Sequence, residues 1–188
     1  MPAKILGPQQ GTVGRLRTMG VRFMVTSGDS GGGFSMVEHP LGPRALAGPL
    51  HRHSREDEYS YVLEGQIGAR LGDDVIHAGP GDLVFKPRNQ WHTFWNAADS
   101  DARILEIISP AGFEQYFEEL IALFAAGAPD PAVLAAVASR YGLEVDPDPE
   151  RGAWPGMTRE LAGSRKPQPT KPRVPAARLQ RRAALAPQ

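Results

Sequence analysis

Between residues 12 and 109 the chain is cut into short apolar runs by glycine- and proline-rich turns, and no helical period appears in that span. Residues 21–26 read as a strand ending in Ser27-Gly28-Asp29-Ser30-Gly31-Gly32-Gly33, a strong turn signal, and residues 34–39 return as the second arm of a hairpin. Further strands are expected at 59–63, 67–71, 75–77, 82–87, 92–96 and 103–108, separated by Gly65, by Gly72-Asp73-Asp74 and by Ala78-Gly79-Pro80-Gly81. About eight strands with turns this frequent specify an all-β sandwich or barrel.

The period changes at Ser109. A helix is expected with Ser109 as N-cap and Pro110 at its first position, because Phe113, Tyr116, Phe117, Leu120, Ile121 and Phe124 recur on one face until Gly127. Asp130-Pro131 repeats this start, with Val133, Leu134, Val137 and Tyr141 expected inward and Gly142 as the stop. From Asp146 the pattern dissolves into prolines and basic residues. Residues 151–188 hold nine Lys or Arg against Glu160 alone, about eight positive charges, although the whole chain sums to +0. The expected division is therefore a folded domain over 1–145 and a Pro-rich basic tail over 146–188, largely disordered, with Trp154 and Met157 in a stretch that docks on the domain. The tail lacks interleaved aromatics and any folded binding motif, so nucleic acid is not an expected partner. No signal peptide or membrane-spanning run is seen, and a cytoplasmic location is expected.

Cysteine is absent, so any metal must be held by imidazoles and carboxylates. The stretch His51-Arg52-His53-Ser54-Arg55-Glu56-Asp57-Glu58 supplies both. Residues i and i+2 of a strand share a face, so His51 and His53 can reach one ion together. Glu56 and Asp57 compete with Glu58 as the carboxylate and read as solvated loop charges. Another imidazole follows at His92. His39 and His77 have no matching partner in the sequence and read as surface or hydrogen-bonded residues.

Two spaced patterns now align: His51-x-His53-x4-Glu58-x6-Gly65, and Gly81-x5-Pro87-x-Asn89-x2-His92-x3-Asn96. Together they resemble the two signature motifs of the cupin family, with Ala45 and Asn89 standing where that pattern has glycine. The resemblance implies a jelly-roll β-barrel with one divalent transition metal (iron, nickel, manganese or cobalt) on His51, His53, Glu58 and His92. Three neutral imidazoles and one carboxylate leave open positions on such an ion.

The runs His53–Gly65 and Pro110–Phe117 further resemble bacterial quercetin 2,3-dioxygenase-type cupins. That implies oxidative cleavage of a flavonol or similar enol or phenolic small molecule with O₂, with Glu58 as the catalytic group that accepts the substrate's hydroxyl proton. Phe94, Tyr61, Phe85 and Met36 are the expected substrate-facing residues. A non-oxidative isomerase or cyclase and a non-catalytic small-molecule-binding module are the alternatives. A homodimer through the N-terminal strands or the helices is expected, to hide sheet edges.

Overall fold

The computed structural model describes residues 5–153. Eleven strands are seen there: β1 (Thr12–Leu16), β2 (Met19–Val25), β3 (Ser35–Leu41), β4 (His51–His53), β5 (Asp57–Glu64), β6 (Ile67–Leu71), β7 (Asp74–Ala78), β8 (Leu83–Lys86), β9 (His92–Trp95), β10 (Ala102–Ser109) and β11 (Leu143–Val145). They form two antiparallel sheets, ordered β1-β2-β3-β10-β5-β8 and β11-β4-β9-β6-β7. Three helices complete the fold, α1 (Ser27–Ser30), α2 (Glu114–Ala126) and α3 (Pro131–Arg140). This is the expected all-β jelly roll with two C-terminal helices. No helix among the described residues is long and apolar enough to cross a membrane.

Strand alternation builds the core between the sheets. On β10, Ala102, Ile104, Glu106 and Ile108 are buried while the residues between them are half-exposed. Register sets Ile104 opposite His39 and Val62, and Glu106 opposite Val37 and Ser60. Val21, Val37, Leu41, Val62, Ile104 and Ile108 are fully buried, and each contributes on the order of 1.5–3 kcal/mol of hydrophobic stabilisation. The motif glycine Gly65 sits at φ 71°, where a Cβ would lie 2.6 Å from the Asp101 carbonyl oxygen. Only glycine fits that turn.

Several local expectations differ from the structure. The Ser27–Gly33 turn contains the short helix α1, capped by Thr26 and Asp29. Ser109 ends β10 instead of capping a helix; its hydroxyl donates to Gly33 O. Helix α2 begins at Glu114, whose carboxylate accepts from Ser27 N at 2.7 Å and Gly112 N at 2.6 Å. A buried carboxylate that ties the β2–β3 connection to the helix start replaces the expected serine cap. In α3 the Asp130 cap holds, accepting from Ala132 N, but Val133 faces solvent. Past the expected boundary at 145 the chain is still folded: Asp146 N donates to Leu50 O, Arg151 pairs with Asp146, and Pro149–Gly152 make a 3-10 turn. Trp154, Met157 and the remainder of the basic tail lie outside the described residues.

Candidate metal centre

Two paired strands bring the three histidines together. β4 carries His51 and His53, and its partner β9 sets His92 directly opposite His51. Their ring centroids are 4.4 Å apart for His51 and His92, 5.1 Å for His51 and His53, and 5.4 Å for His53 and His92. Glu58 comes from β5 in the facing sheet. One donor atom from each of the four residues falls within 4.8 Å of all the others. His53, Glu58 and His92 are buried and His51 is half-buried.

Hydrogen bonds fix which ring nitrogens are free. Nδ1 of His51 lies 2.7 Å from Pro49 O, and Nδ1 of His92 lies 2.9 Å from Gln90 O. A carbonyl only accepts, so each Nδ1 carries the proton and each neutral ring turns an unprotonated Nε2 inward, the tautomer a metal ligand needs. His92 Nε2 stands 3.1 Å from Glu58 Oε2, and His53 Nε2 stands 3.4 Å from Glu58 Oε1. Two acceptors this close require a proton or a cation between them. Burial holds His51 well below the ordinary imidazole range, with His92 and His53 adding to the effect, and burial also lowers His92 against the pull of Glu58. A cation is the better fit. Among the described residues, neither ring nitrogen of the fully buried His53 has a hydrogen-bond partner, a cost that ion ligation removes at one of the two.

The carboxylate is held from behind by buried charges that neither sequence motif marks. Lys86 Nζ is 2.9 Å from Glu58 Oε2 and 3.0 Å from Glu106 Oε2, and Ser60 Oγ donates to the same Glu106 oxygen at 2.7 Å. Lys86 and Glu106 are each 1% exposed. Burial alone would raise the Glu58 carboxyl, but the Lys86 ammonium, then His53 and His92, bring it well below the ordinary range. Burial pushes Glu106 up to about 7, with Lys86 opposing. Burial disfavours the Lys86 charge, yet its two carboxylates outweigh that and raise it. The available signal was a lone acid in the apolar run Ile104-Leu105-Glu106-Ile107-Ile108. Glu56 is also buried, with Oε2 at 3.6 Å from His53 Nδ1, so it flanks that ring and is no solvated loop charge. Asp57 is the surface member, paired with Arg88. Of the other histidines, His77 is exposed. His39 is buried and faces inward, with Nδ1 donating to Gly20 O at 3.0 Å.

The expected substrate wall divides. Phe94 shares the inner face of β9 with His92, and Lys86 Nζ lies 4.8 Å from its ring centroid. Tyr61 and Phe85 alternate with inward Glu58, Ser60 and Lys86, so they sit on the outer face of the sheet, 40% and 47% exposed. Met36, opposite outward Ile107, is on that outer face too. These three do not line the bore. In their place Phe113, from the start of α2, packs its ring on His53 at 4.3 Å, with Phe117 and Tyr116 behind it. A surface groove of about 750 Å³ runs past Arg52, Asn89, Ala138 and Leu143 and contains none of the four clustered residues.

The Asn89 departure from the motif proves compatible with the turn: its φ is 65°, the left-handed conformation that asparagine tolerates.

Comparison with known proteins agrees with this architecture. Residues 37–108 match the family described as Cupin domain. No curated protein matches the chain. Among solved structures, KdgF from Halomonas sp. is 16% identical, with 61% of this chain and 99% of that one covered at a TM-score of 0.54. An RmlC-like cupin from Shewanella frigidimarina is 17% identical over 60% of this chain and 96% of its own, at 0.51. The polyketide cyclase RemF from Streptomyces resistomycificus is 26% identical over 57% of this chain and 80% of its own, also at 0.51. The barrel built around the matched segment has the same fold as these solved structures.

Proposed function

We propose that the chain is a metal-dependent dioxygenase acting on an enol or phenolic small molecule of the flavonol kind. The observation that carries the metal-dependent part is the convergence of three imidazoles and Glu58 on one buried point, with the Nε2 atoms of His51 and His92 unprotonated toward it. A divalent iron, nickel, manganese or cobalt ion held there supplies Lewis acidity toward a substrate oxygen and, where redox-active, the one-electron chemistry that dioxygen requires. Support for the oxidative part comes from the resemblance of the His53–Gly65 and Pro110–Phe117 runs to quercetin dioxygenase-type cupins, the second of which supplies the Phe113 ring against His53. Phe94 and Phe113 give an aromatic body two apolar walls. Glu58 is the group that takes the substrate proton, and Lys86 holds its Oε2 in place. A carboxylate held this acidic is a weak base, and it accepts a proton only from a hydroxyl that has itself been acidified.

The full chain, loaded in turn with each metal, is expected to consume oxygen and release carbon monoxide with flavonols. His92→Ala is expected to lower metal affinity on the order of 100-fold or more by losing one ligand, read by calorimetric titration. No turnover with any metal, with quercetin bound no better than an unrelated phenol, would overturn the substrate assignment. A second reading, non-oxidative cyclisation, is favoured by the likeness to the polyketide cyclase RemF. Product formed equally well without oxygen would establish it over the first.

A further inference from the structure

The outward residues of four neighbouring strands, β3, β10, β5 and β8, fall into cross-strand rows. Register aligns Met36, Ile107, Tyr59 and Phe85 in one row, and Glu38, Leu105, Tyr61 and Leu83 in the next. All but Glu38 are apolar or aromatic. Tyr61, Phe85 and Leu83 are exposed, Leu83 to 58%, and Met36, Leu105, Ile107 and Tyr59 are half-buried. An antiparallel sheet that turns one face to water ordinarily carries polar residues on it. This face does not.

Its charges stand at the border and are already matched. Glu38 accepts from Arg22 at 2.7 Å and from Arg103 at 3.0 Å, Arg103 also lies 3.4 Å from Glu64, and Arg88 pairs with Asp57 at 2.8 Å. These three arginines and three carboxylates sum to zero. A strongly charged partner therefore gains little here, whereas an identical face can be laid on this one without opposing an unmatched charge. The extent of the face suits such a contact. Strands β5 and β10 are each eight residues long, and four strands of that length about 4.8 Å apart outline a plane on the order of 500 Å². Side-chain relief brings its accessible area toward the ~800 Å² that each partner of a stable dimer contributes, and monomers rarely expose an apolar patch of that extent.

We propose that the outer face of β3-β10-β5-β8 is a self-association surface, covered by the same face of a second copy of this chain about a two-fold axis. Like faces of twisted antiparallel sheets interdigitate their side chains at a sheet separation of about 10 Å. Leu105 and Tyr61 stand at the centre of the contact, with Leu83 and Phe85 at its rim. This surface replaces the N-terminal strands and the helices from which a homodimer is expected on sequence, and it is independent of the metal-dependent reading.

Sedimentation of the full chain over a wide range of concentration tests the proposal, with twice the chain mass as the expected result. Tyr61→Glu places a new charge on both sides of the axis at once and is expected to weaken dimerisation on the order of 100-fold or more, and Leu83→Glu at the rim on the order of tenfold. Val13→Glu on β1, Val75→Glu on β7 and Val133→Glu on α3 alter exposed apolar positions away from this face and are expected to leave the dimer intact. Circular dichroism checks that each variant is folded, and Leu83→Glu carries the test if Tyr61→Glu fails to fold. A monomer at every concentration overturns the proposal. So does a dimer that withstands both face variants, or one lost instead in Val13→Glu, Val75→Glu or Val133→Glu. A monomer in which Tyr61 is shielded from hydroxyl-radical labelling gives the face to another segment of the chain and equally overturns it.

Discussion

The two faces of β5 and β8 differ in the opposite sense to most sheets. Their inner face carries Glu58, Ser60 and Lys86, and their outer face carries Tyr59, Tyr61, Leu83 and Phe85. Tyr59 and Phe85 stack in the open with ring centroids 4.9 Å apart, while Lys86 and Glu106 are sealed inside. Apolar residues are ordinarily the buried ones, so polar groups kept inside at this cost need their partners there. The strand period says which residues share a face. It does not say which face is the interior.

Three substitutions probe that inversion. Lys86→Met should have the largest effect, because it leaves the Glu58 and Glu106 carboxylates buried without their shared cation. A loss on the order of 3–5 kcal/mol is expected in urea unfolding of the metal-free chain, with most of it recovered in Lys86→Met/Glu106→Gln. Equal losses in the single and double variants would mean that the interior charges do not act as a pair.

An intermediate effect concerns His39, another inward polar residue. Burial, reinforced slightly by Lys86 and opposed by the Gly20 carbonyl, lowers its pKa from 6.5 to about 4. Its folded value is thus below its unfolded one, and the unfolded chain binds the extra proton. The stability that follows is complete above pH 6.5 and is lost as pH falls toward 4, by at most about 1.4 kcal/mol for each pH unit. His39→Gln should flatten that part of a stability-versus-pH curve measured by chemical denaturation. An unchanged slope would assign the acid loss to other groups.

The smallest effect belongs to the outer face. Phe85→Ala should cost about 1 kcal/mol, mainly the ring pair with Tyr59, and should leave metal affinity unchanged. Any marked drop in metal binding would place Phe85 functionally with the interior after all.

What could be read from the sequence follows the same division. His51, His53, Glu58 and His92 were legible because ligand spacing is fixed by strand geometry and motif order, and the structure gathers all four. Helix α3 was legible through Asp130-Pro131. Tyr61, Phe85 and Met36 are expected in the bore because strand alternation must turn some of these side chains inward, and both faces of these strands carry enough apolar residues to pass as the inner one. Lys86 and Glu106 were missed for the complementary reason. A charge in a strand reads as solvent-facing until a cross-strand partner is known, and the β5 pairings to β8 and β10 that unite Lys86, Glu58, Ser60 and Glu106 join residues far apart in sequence. The aromatic contribution of α2 to the bore was hidden likewise, since a helical stripe reveals that a face is buried and not what it is buried against.

Strand β8 is also the last strand of its sheet, four residues long and followed at once by Pro87. Edge strands invite slippage and pairing with foreign chains. A slip of one residue against β5 would turn Phe85 inward onto two carboxylates and strand the ammonium of Lys86 in solvent, reversing every inside-outside assignment along the strand. The buried lysine therefore penalises misalignment, and a proline that cannot donate to a neighbouring ladder limits its extension. The outermost strand of this sheet thus carries its own alignment key and its own guard against aggregation.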